Sequence, residues 1–231
     1  ERELYNRANW HYIDGAWLRG QAQVQGNTYI RVAPFEDIAG KNTREFRNEV
    51  NADNVMVALD YNTTLLADSQ ASLPQRAVAL CWVLHLIGDI HQPLHTGSLY
   101  SANRFSTGDR GGNGIETDGR NLHARWDSAV SSKGVKTNFE TLLRQHSTTL
   151  ERMSQQDNGD WSLWMQESRA LLLNTVYTID MKSAIAGSDD SPDKLRKFNL
   201  SDDYVQTMKY HSGLRLALAG RRLASWFEAK L

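Results

Sequence analysis

Hydrophobic residues recur at helical spacing through most of the chain, and this periodicity predicts a mainly α-helical protein. The segment 51–68 is expected to form a helix that is capped by Asn51 or Asp53. A second helix is expected over residues 73–90, because Pro74 is well placed for the first helical turn. Four further helices are predicted, over residues 121–131, 135–153, 160–181 and 201–231.

Two stretches with several glycines interrupt the helical pattern. Residues 17–40 are expected to be irregular, with one short strand where apolar and polar residues alternate in Tyr29-Ile30-Arg31-Val32. Residues 96–119 contain six glycines and are expected to form a long loop. A loop of this length inside a compact domain is usually functional or disordered. The predicted fold is therefore a single all-α domain over residues 1–231, a multi-helix bundle with a long glycine-rich functional loop.

The composition is that of a folded domain without a membrane span. Of the 231 residues, 40% are hydrophobic, which is enough for a sizeable core, and no apolar run reaches the length of a span. The net charge is −1, so attraction for an anionic partner must come from a local site, and a bound metal is one source. The single cysteine, Cys81, excludes a disulfide within the chain and lies in an apolar run, where a buried thiol is expected.

Histidine and aspartate recur together in the middle of the chain. His85 and Asp89 are four residues apart on the second predicted helix, so both lie on one helix face. This pair alone is open to two interpretations, a hydrogen-bonded His–Asp pair or two ligands of a cation. His123 and Asp127 repeat the spacing on the next predicted helix, and the proline turn between the pairs directs His95 toward the same region. Together these residues favour a zinc site, because zinc accepts imidazole and carboxylate ligands.

Five motifs stand out in order along the chain: Trp10-His11-Tyr12-Ile13-Asp14, His85-Leu86-Ile87-Gly88-Asp89-Ile90-His91-Gln92-Pro93-Leu94-His95, Gly108-Asp109-Arg110-Gly111-Gly112-Asn113, Asn121-Leu122-His123-Ala124-Arg125-Trp126-Asp127 and Gly220-Arg221-Arg222-Leu223-Ala224-Ser225-Trp226. In these motifs the chain resembles the zinc-dependent single-strand nucleases of the nuclease S-one and nuclease P-one type. The resemblance spans nearly the whole chain, and its central motifs are highly specific.

The resemblance implies an all-α fold similar to that of nuclease P-one and phospholipase C, with up to three zinc ions in a cleft. By position, the ligands of the first zinc are matched by His11, His85 and Asp89. The ligands of the second zinc are matched by His95, His123 and Asp127. Asp89 is also expected to bridge to a third zinc and is thereby one of the expected catalytic residues.

The resemblance also implies residues that contact the substrate. Asn113 matches an active-site asparagine beside the scissile phosphate and is expected to be both catalytic and substrate-binding. Tyr12 matches a position that stacks on a base, and Asp14 matches one that hydrogen-bonds the edge of that base.

The chain departs from the family at its start. In the family, an N-terminal tryptophan, a nearby histidine and a Trp-Ala-Asp motif complete the first and third zinc sites. None of these precedes His11 here, so we expect that a segment of a few dozen residues is absent from the sequence. As written, the chain carries a complete second site and incomplete first and third sites, so fewer than three zinc ions are expected if those ligands are truly absent.

The function implied by the resemblance is that of a zinc-dependent endonuclease. Such an enzyme hydrolyses phosphodiester bonds of single-stranded DNA and RNA with a zinc-activated water and leaves 5′-phosphorylated products. The resemblance further implies a secreted or periplasmic protein of DNA catabolism, with nucleic acids or nucleotides as substrates and no membrane or obligate protein partner. Two alternatives stay open, a zinc phospholipase C-type phosphodiesterase and a non-catalytic, metal-stabilised nucleic-acid-binding module.

Overall fold

A computed structural model describes residues 6–13, 17–18, 21–22, 27–32, 54–130, 135–154 and 160–230 of the chain. Over these residues the protein is mainly helical, as predicted, and its strands are short. The helices are α1 (Val55–Ala67), α2 (Leu73–His91), α3 (Leu122–Asp127), α4 (Val135–Ser154), α5 (Trp161–Leu171), α6 (Ile179–Ser188) and α7 (Asp202–Lys230). The strands are β1 (Trp17–Leu18), β2 (Gln21–Ala22), β3 (Thr28–Ile30) and β4 (Leu99–Ser101). Among the described helices, none combines the length and apolar character that crossing a membrane requires.

Helices α1 and α2 pack along each other, and each begins with a side-chain cap. The cap of α1 is Asn54, whose Oδ1 accepts hydrogen bonds from the backbone N–H groups of Met56 and Val57 at 3.0 and 3.1 Å. The prediction of Asn51 or Asp53 as the cap is therefore wrong, and both residues lie outside the described ranges. Helix α2 begins as predicted, with a capping box at its start and proline in its first turn.

The larger core lies between α1, α2, α5 and α7. Leu59 of α1 and Val83 of α2 are fully buried, and Trp164 of α5 and Trp226 of α7 belong to the same buried cluster. Trp10, from a short 3₁₀ turn near the start of the chain, is also buried in this core. Burial of a large aromatic side chain fixes the backbone beside it. The 3₁₀ turn is therefore held against α2.

The glycine-rich loop is more ordered than a plain loop. It contains β4, which pairs in parallel with β3 so that Thr28 lies opposite Leu99 and Ile30 lies opposite Ser101. A second core, built from β3, β4, α3, α6 and the start of α7, lies beneath it. The prediction of a long loop and of a strand near Tyr29 is therefore correct. The strand β4 within the loop, which pairs with β3, is not predicted.

The single helix predicted over residues 160–181 is wrong. Helix α5 ends at Leu171, a π-helical turn follows over Leu172–Val176, and the backbone becomes extended at Tyr177. Thr178 then caps a new helix, α6, by accepting a hydrogen bond from the N–H of Met181. Apolar residues continue through this break because both helices face a core, so periodicity alone does not reveal it.

Helix α2 is apolar on most of its surface, yet only one face is buried. Val83, Leu86 and Ile90 face the core, whereas Leu84 is 47% exposed. Cys81 lies on the exposed side, so the prediction of a buried thiol is wrong. Apolar side chains of α2 thus also lie outside the described core.

Alanine substitution of one leucine on each face of α2 should distinguish the buried face from the exposed face. We expect Leu86→Ala to lower the free energy of unfolding by about 2–5 kcal/mol, because it leaves a cavity in the core. Leu84→Ala, a matched change on the exposed face, should change that free energy by about 0.5 kcal/mol or less. Chemical denaturation measures both values, and equal effects would contradict this assignment of the helix faces.

Candidate metal centre

The first candidate group forms where α2 passes the 3₁₀ turn that holds Trp10. One oxygen of Asp89, Oδ2, lies 3.0 Å from Nδ1 of His11 and 3.3 Å from Nε2 of His85. His85 and Asp89 reach the same point because they are one helical turn apart. His11 comes from the distant start of the chain, and the rings of His11 and His85 meet edge to face with centroids 4.7 Å apart.

The second group forms between the turn after α2 and helix α3. Nε2 of His95 lies 3.8 Å from Oδ1 of Asp127, and Nε2 of His123 lies 3.5 Å from Oδ2 of the same carboxylate. His95 stands in the 3₁₀ turn Pro93–His95, and α3 supplies the other two residues. All six side chains expected as metal ligands therefore come together in two groups of three.

Backbone carbonyl groups set the orientation of two imidazoles in the second group. Nδ1 of His95 lies 2.6 Å from the carbonyl oxygen of His11, and Nδ1 of His123 lies 2.7 Å from the carbonyl oxygen of Gly111. A carbonyl oxygen can only accept, so each Nδ1 must carry the hydrogen. In the neutral ring Nε2 then keeps its lone pair, which is the arrangement that a metal-binding histidine uses.

The donor sets fit a divalent cation such as zinc. In each group three ligand atoms, two nitrogens and one carboxylate oxygen, lie within 4.8 Å of one another. Zinc binds such atoms at about 2.0–2.2 Å, which places neighbouring ligand atoms roughly 3.4 Å apart in a tetrahedron. Three protein ligands leave a fourth position for water or substrate, as in catalytic sites. The residues present therefore suit zinc, and their role as its ligands remains a prediction.

The electrostatics of both groups favour a cation. Burial would raise the pKa of Asp89, but its hydrogen bonds with His11 and His85 outweigh this effect and lower the pKa. The pKa of Asp127 is also lowered, because contacts with His95 and Gln92 outweigh burial.

The pKa values of two histidines of these groups shift in the opposite direction. The hydrogen bond to Asp89 raises the pKa of His85. Burial would lower the pKa of His95, but the two carboxylates outweigh it and raise the pKa. Both carboxylates are thus ionised partners that attract positive charge.

The two groups are linked to each other through the backbone near His95. Its ring donates to the carbonyl of His11, and its own carbonyl accepts the N–H of Ile13 at 2.8 Å. Its Nδ1 also lies 3.6 Å from Oδ1 of Asp89, whose other oxygen faces the first group. Asp89 therefore contacts residues of both groups. Its expected bridge to a third zinc stays a prediction.

Three successive residues of the glycine-rich loop have positive φ angles. These are Arg110, Gly111 and Gly112, with φ of 60°, 57° and 79°. The resulting tight turn directs the carbonyl of Gly111 toward His123. A Cβ atom on Gly111 would lie 2.2 Å from the carbonyl oxygen of Leu94, so only glycine fits there. The glycine in this motif is thus explained by close backbone contact behind His123, a candidate metal ligand.

Asp109 anchors the loop from within the protein. Its carboxylate is 1% exposed and accepts a hydrogen bond from the N–H of Leu99 at 3.0 Å and another from the hydroxyl of Tyr177 at 2.8 Å. A buried carboxylate requires such donors. Asp109 therefore supports the loop and does not face the metal groups.

The structure describes two of the three predicted substrate-binding residues. Tyr12 follows His11 directly and its side chain is 38% exposed. Asn113 follows the tight turn, and its amide nitrogen donates to the carbonyl of Arg110 at 2.8 Å. Asp14 lies outside the described residues. The roles of Tyr12, Asp14 and Asn113 toward a substrate therefore stay predictions.

Two residues near the groups are not among the predicted site residues. Gln92 donates from Nε2 to Oδ1 of Asp127 at 2.9 Å and so ties the turn after α2 to α3. His91, two residues after Asp89, is 2% exposed and lies inside the protein. The sequence signal for Gln92 is its position directly before Pro93.

Substitution of Gly111 should disturb the second group specifically. We expect Gly111→Ala to displace the turn behind His123 and to weaken zinc binding by about 10-fold or more, since His123 loses its carbonyl partner. Gly119→Ala is the matched control, because Gly119 also has a positive φ of 110° but open space around its Cβ position. Competition with a chromophoric chelator measures both affinities, and equal values would contradict the role of Gly111.

Comparison with known proteins gives relatives for this fold and centre. The chain is 28% identical to nuclease S1 of Aspergillus oryzae over 182 residues, which cover 73% of this chain and 59% of that protein. It is 31% identical to endonuclease 4 of Arabidopsis thaliana over 159 residues, which cover 64% of this chain and 48% of that protein. The chain thus spans about half to three fifths of the length of these relatives.

A family profile agrees with these pairwise similarities. The profile described as S1/P1 nuclease matches residues 2–231, which includes both histidine–aspartate groups and the glycine-rich loop. A match of this extent covers nearly the whole chain. The chain therefore belongs to the S1/P1 nuclease family.

Proposed function

We propose that this protein is a zinc-dependent endonuclease that hydrolyses phosphodiester bonds in single-stranded DNA and RNA and leaves 5′-phosphorylated products. The observation that carries the proposal is the pair of His-His-Asp groups joined through Asp89. Family membership and the names of the relatives, which are nucleases and endonucleases, favour this reaction over phospholipid hydrolysis.

Zinc bound in these groups would supply a water of lowered pKa and positive charge for the phosphoryl oxygens. The protein would hold the metals with His11, His85 and Asp89 in the first group. The residues for the second group would be His95, His123 and Asp127. The carbonyl partners of His95 and His123 keep their Nε2 atoms directed inward, so the ligands need little rearrangement.

Asn113 and Tyr12 would bind the substrate. Asn113 stands at the end of the tight turn, and its amide can donate a hydrogen bond to the phosphoryl group as charge develops there. Tyr12 adjoins the first group and exposes part of its ring, on which an unpaired base can stack. Asp14 would hydrogen-bond the edge of that base. An unpaired strand suits this arrangement because its bases are accessible.

The family resemblance also supports a proposal for where the protein acts. We infer that it is secreted or periplasmic and takes part in nucleic-acid breakdown, with nucleic acid as its main binding partner. The metal ligands, rather than a basic surface, would provide the attraction for the phosphate backbone, since the net charge of the chain is −1.

The metal requirement gives the first test. Chelation should abolish hydrolysis of single-stranded DNA and RNA, and added zinc should restore it. His123→Ala should lower the rate by about 100-fold or more, because the second group then loses one of its three ligands. A fluorescent single-stranded oligonucleotide measures the rate, and 5′-end analysis identifies the products.

The matched control is His211→Ala, a histidine of α7 outside both groups. It should hydrolyse the oligonucleotide at the unmodified rate. Hydrolysis that survives chelation, or an equal loss in both variants, would contradict the proposed metal chemistry.

Base stacking gives the second test. Tyr12→Ala should raise KM for a single-stranded oligonucleotide by roughly 5- to 150-fold, the equivalent of about 1–3 kcal/mol of stacking. Tyr12→Phe should keep KM close to the unmodified value, because the ring remains. The control is Tyr210→Ala, which removes a tyrosine of α7 that is similarly exposed, at 45%. If Tyr12→Ala and Tyr210→Ala gave the same KM, Tyr12 would have no part in binding.

A further inference from the structure

A buried network of charged side chains lies behind the end of α2, on the side away from solvent. Arg215 and Arg222 of α7 are each 4% exposed. Both donate to the carboxylate of Glu167 on α5, with Arg222 bonded to its two oxygens at 2.7 and 2.8 Å. Burial would raise the pKa of Glu167, but the two guanidinium groups outweigh it and lower the pKa. The carboxylate is therefore ionised between two cations.

His91 joins this network from α2 as a neutral ring. Its Nδ1 lies 2.7 Å from the carbonyl oxygen of Ile87 and must donate to it. Its Nε2 then accepts from Arg222 at 2.9 Å. Burial, together with the charges of Arg215 and Arg222, holds the pKa of His91 well below its ordinary value, which keeps the ring neutral. The last turn of α2 is thereby attached to α7.

Three donors from α5 and α7 also hold the backbone on both sides of His95. The hydroxyl of Ser168 donates to the carbonyl of Ile90 at 2.6 Å, and Nε of Arg215 donates to the carbonyl of His91 at 3.2 Å. Beyond the turn, Nε of Arg169 donates to the carbonyl of Thr96 at 2.6 Å. The last carbonyls of a helix lack partners within the helix and carry partial negative charge, so these contacts satisfy them.

Buried ion pairs add little net stability compared with apolar packing. Stability alone therefore does not explain why these donors lie beside the end of α2. The hydrogen bonds from these side chains to backbone carbonyls point instead to a fixed geometry. These bonds fix the backbone at Ile90, His91 and Thr96, and this stretch begins one residue after Asp89 and ends one residue after His95. Those two residues supply the 3.6 Å contact that links the two metal groups.

We propose that Glu167, Ser168, Arg215 and Arg222 are positioning residues for the metal centre. They hold the last turn of α2 and the turn after it, so that Asp89 of the first group and His95 of the second keep their 3.6 Å contact and their positions as candidate ligands. This inference rests on the proposed metal centre, and it assigns to α5 and α7 a part in metal binding although neither helix supplies a ligand.

The test uses Ser168→Ala, the smallest change in the network. It leaves the carbonyl of Ile90 without its donor, and we expect zinc to bind the variant about 10-fold more weakly. The visible spectrum of the cobalt-substituted protein should also change, because that spectrum reports the ligand geometry. Ser168→Thr keeps the hydroxyl and should restore both properties. Competition with a chromophoric chelator measures the zinc affinity of each folded variant.

The matched control is Thr63→Ala in α1, which removes a buried hydroxyl that donates to the carbonyl of Leu59, also at 2.6 Å. It should lower thermal stability but leave zinc affinity and the cobalt spectrum unchanged. If Ser168→Ala behaved in the same way, the network would be structural only and the proposal would be wrong.

A second variant covers the case in which Ser168→Ala does not fold. Glu167→Gln keeps the size of the side chain but removes the charge that both arginines share, so it should also weaken zinc binding. Unchanged zinc affinity in that variant would overturn the proposal. Failure of the unmodified chain to bind zinc would instead contradict the metal centre itself, so the two failures are distinguishable.

Discussion

The carboxylate of Asp89 is the group on which the whole centre depends. One of its oxygens lies 3.0 Å from His11 and 3.3 Å from His85, and the other lies 3.6 Å from His95. A carboxylate that is largely enclosed loses hydration and must be compensated by donors or by a cation. Three imidazoles from three separate segments meet this requirement. This carboxylate therefore holds together three segments: the start of the chain, α2 and the turn that follows α2.

The local part of this arrangement is predictable from sequence, and the long-range part is not. The spacing of His85 and Asp89, repeated in His123 and Asp127, defines two faces because an α-helix returns to the same side every four residues. His11 has no such periodic relation to its partners, and only the family resemblance indicated it. Its position is set by the burial of Trp10 and by backbone bonds to His95, which depend on the finished fold.

Three differences between the sequence prediction and the structure share a physical cause. Apolar periodicity runs through Tyr177 and Thr178 because the residues on both sides face a core, so the break between α5 and α6 gives only a weak capping signal. The strand β4 pairs with a segment some seventy residues earlier, which no local pattern encodes. Cys81 is exposed because α2 has more apolar residues than it has buried positions. In each case tertiary contacts decide what the local sequence leaves undetermined.

Two kinds of contact hold the candidate metal-ligand groups, and they act on different atoms. On the loop side, backbone carbonyls accept from His95 and His123, which selects the ring nitrogen that faces inward. On the helix side, Ser168 and Arg215 donate to carbonyls of α2, which fixes the backbone rather than the rings. A ring with the correct tautomer but the wrong position would not reach a metal, and a well-placed ring with the wrong tautomer would not offer it a lone pair. The proposed centre would draw on both supports, one from a turn with positive φ angles and one from buried arginines of α7.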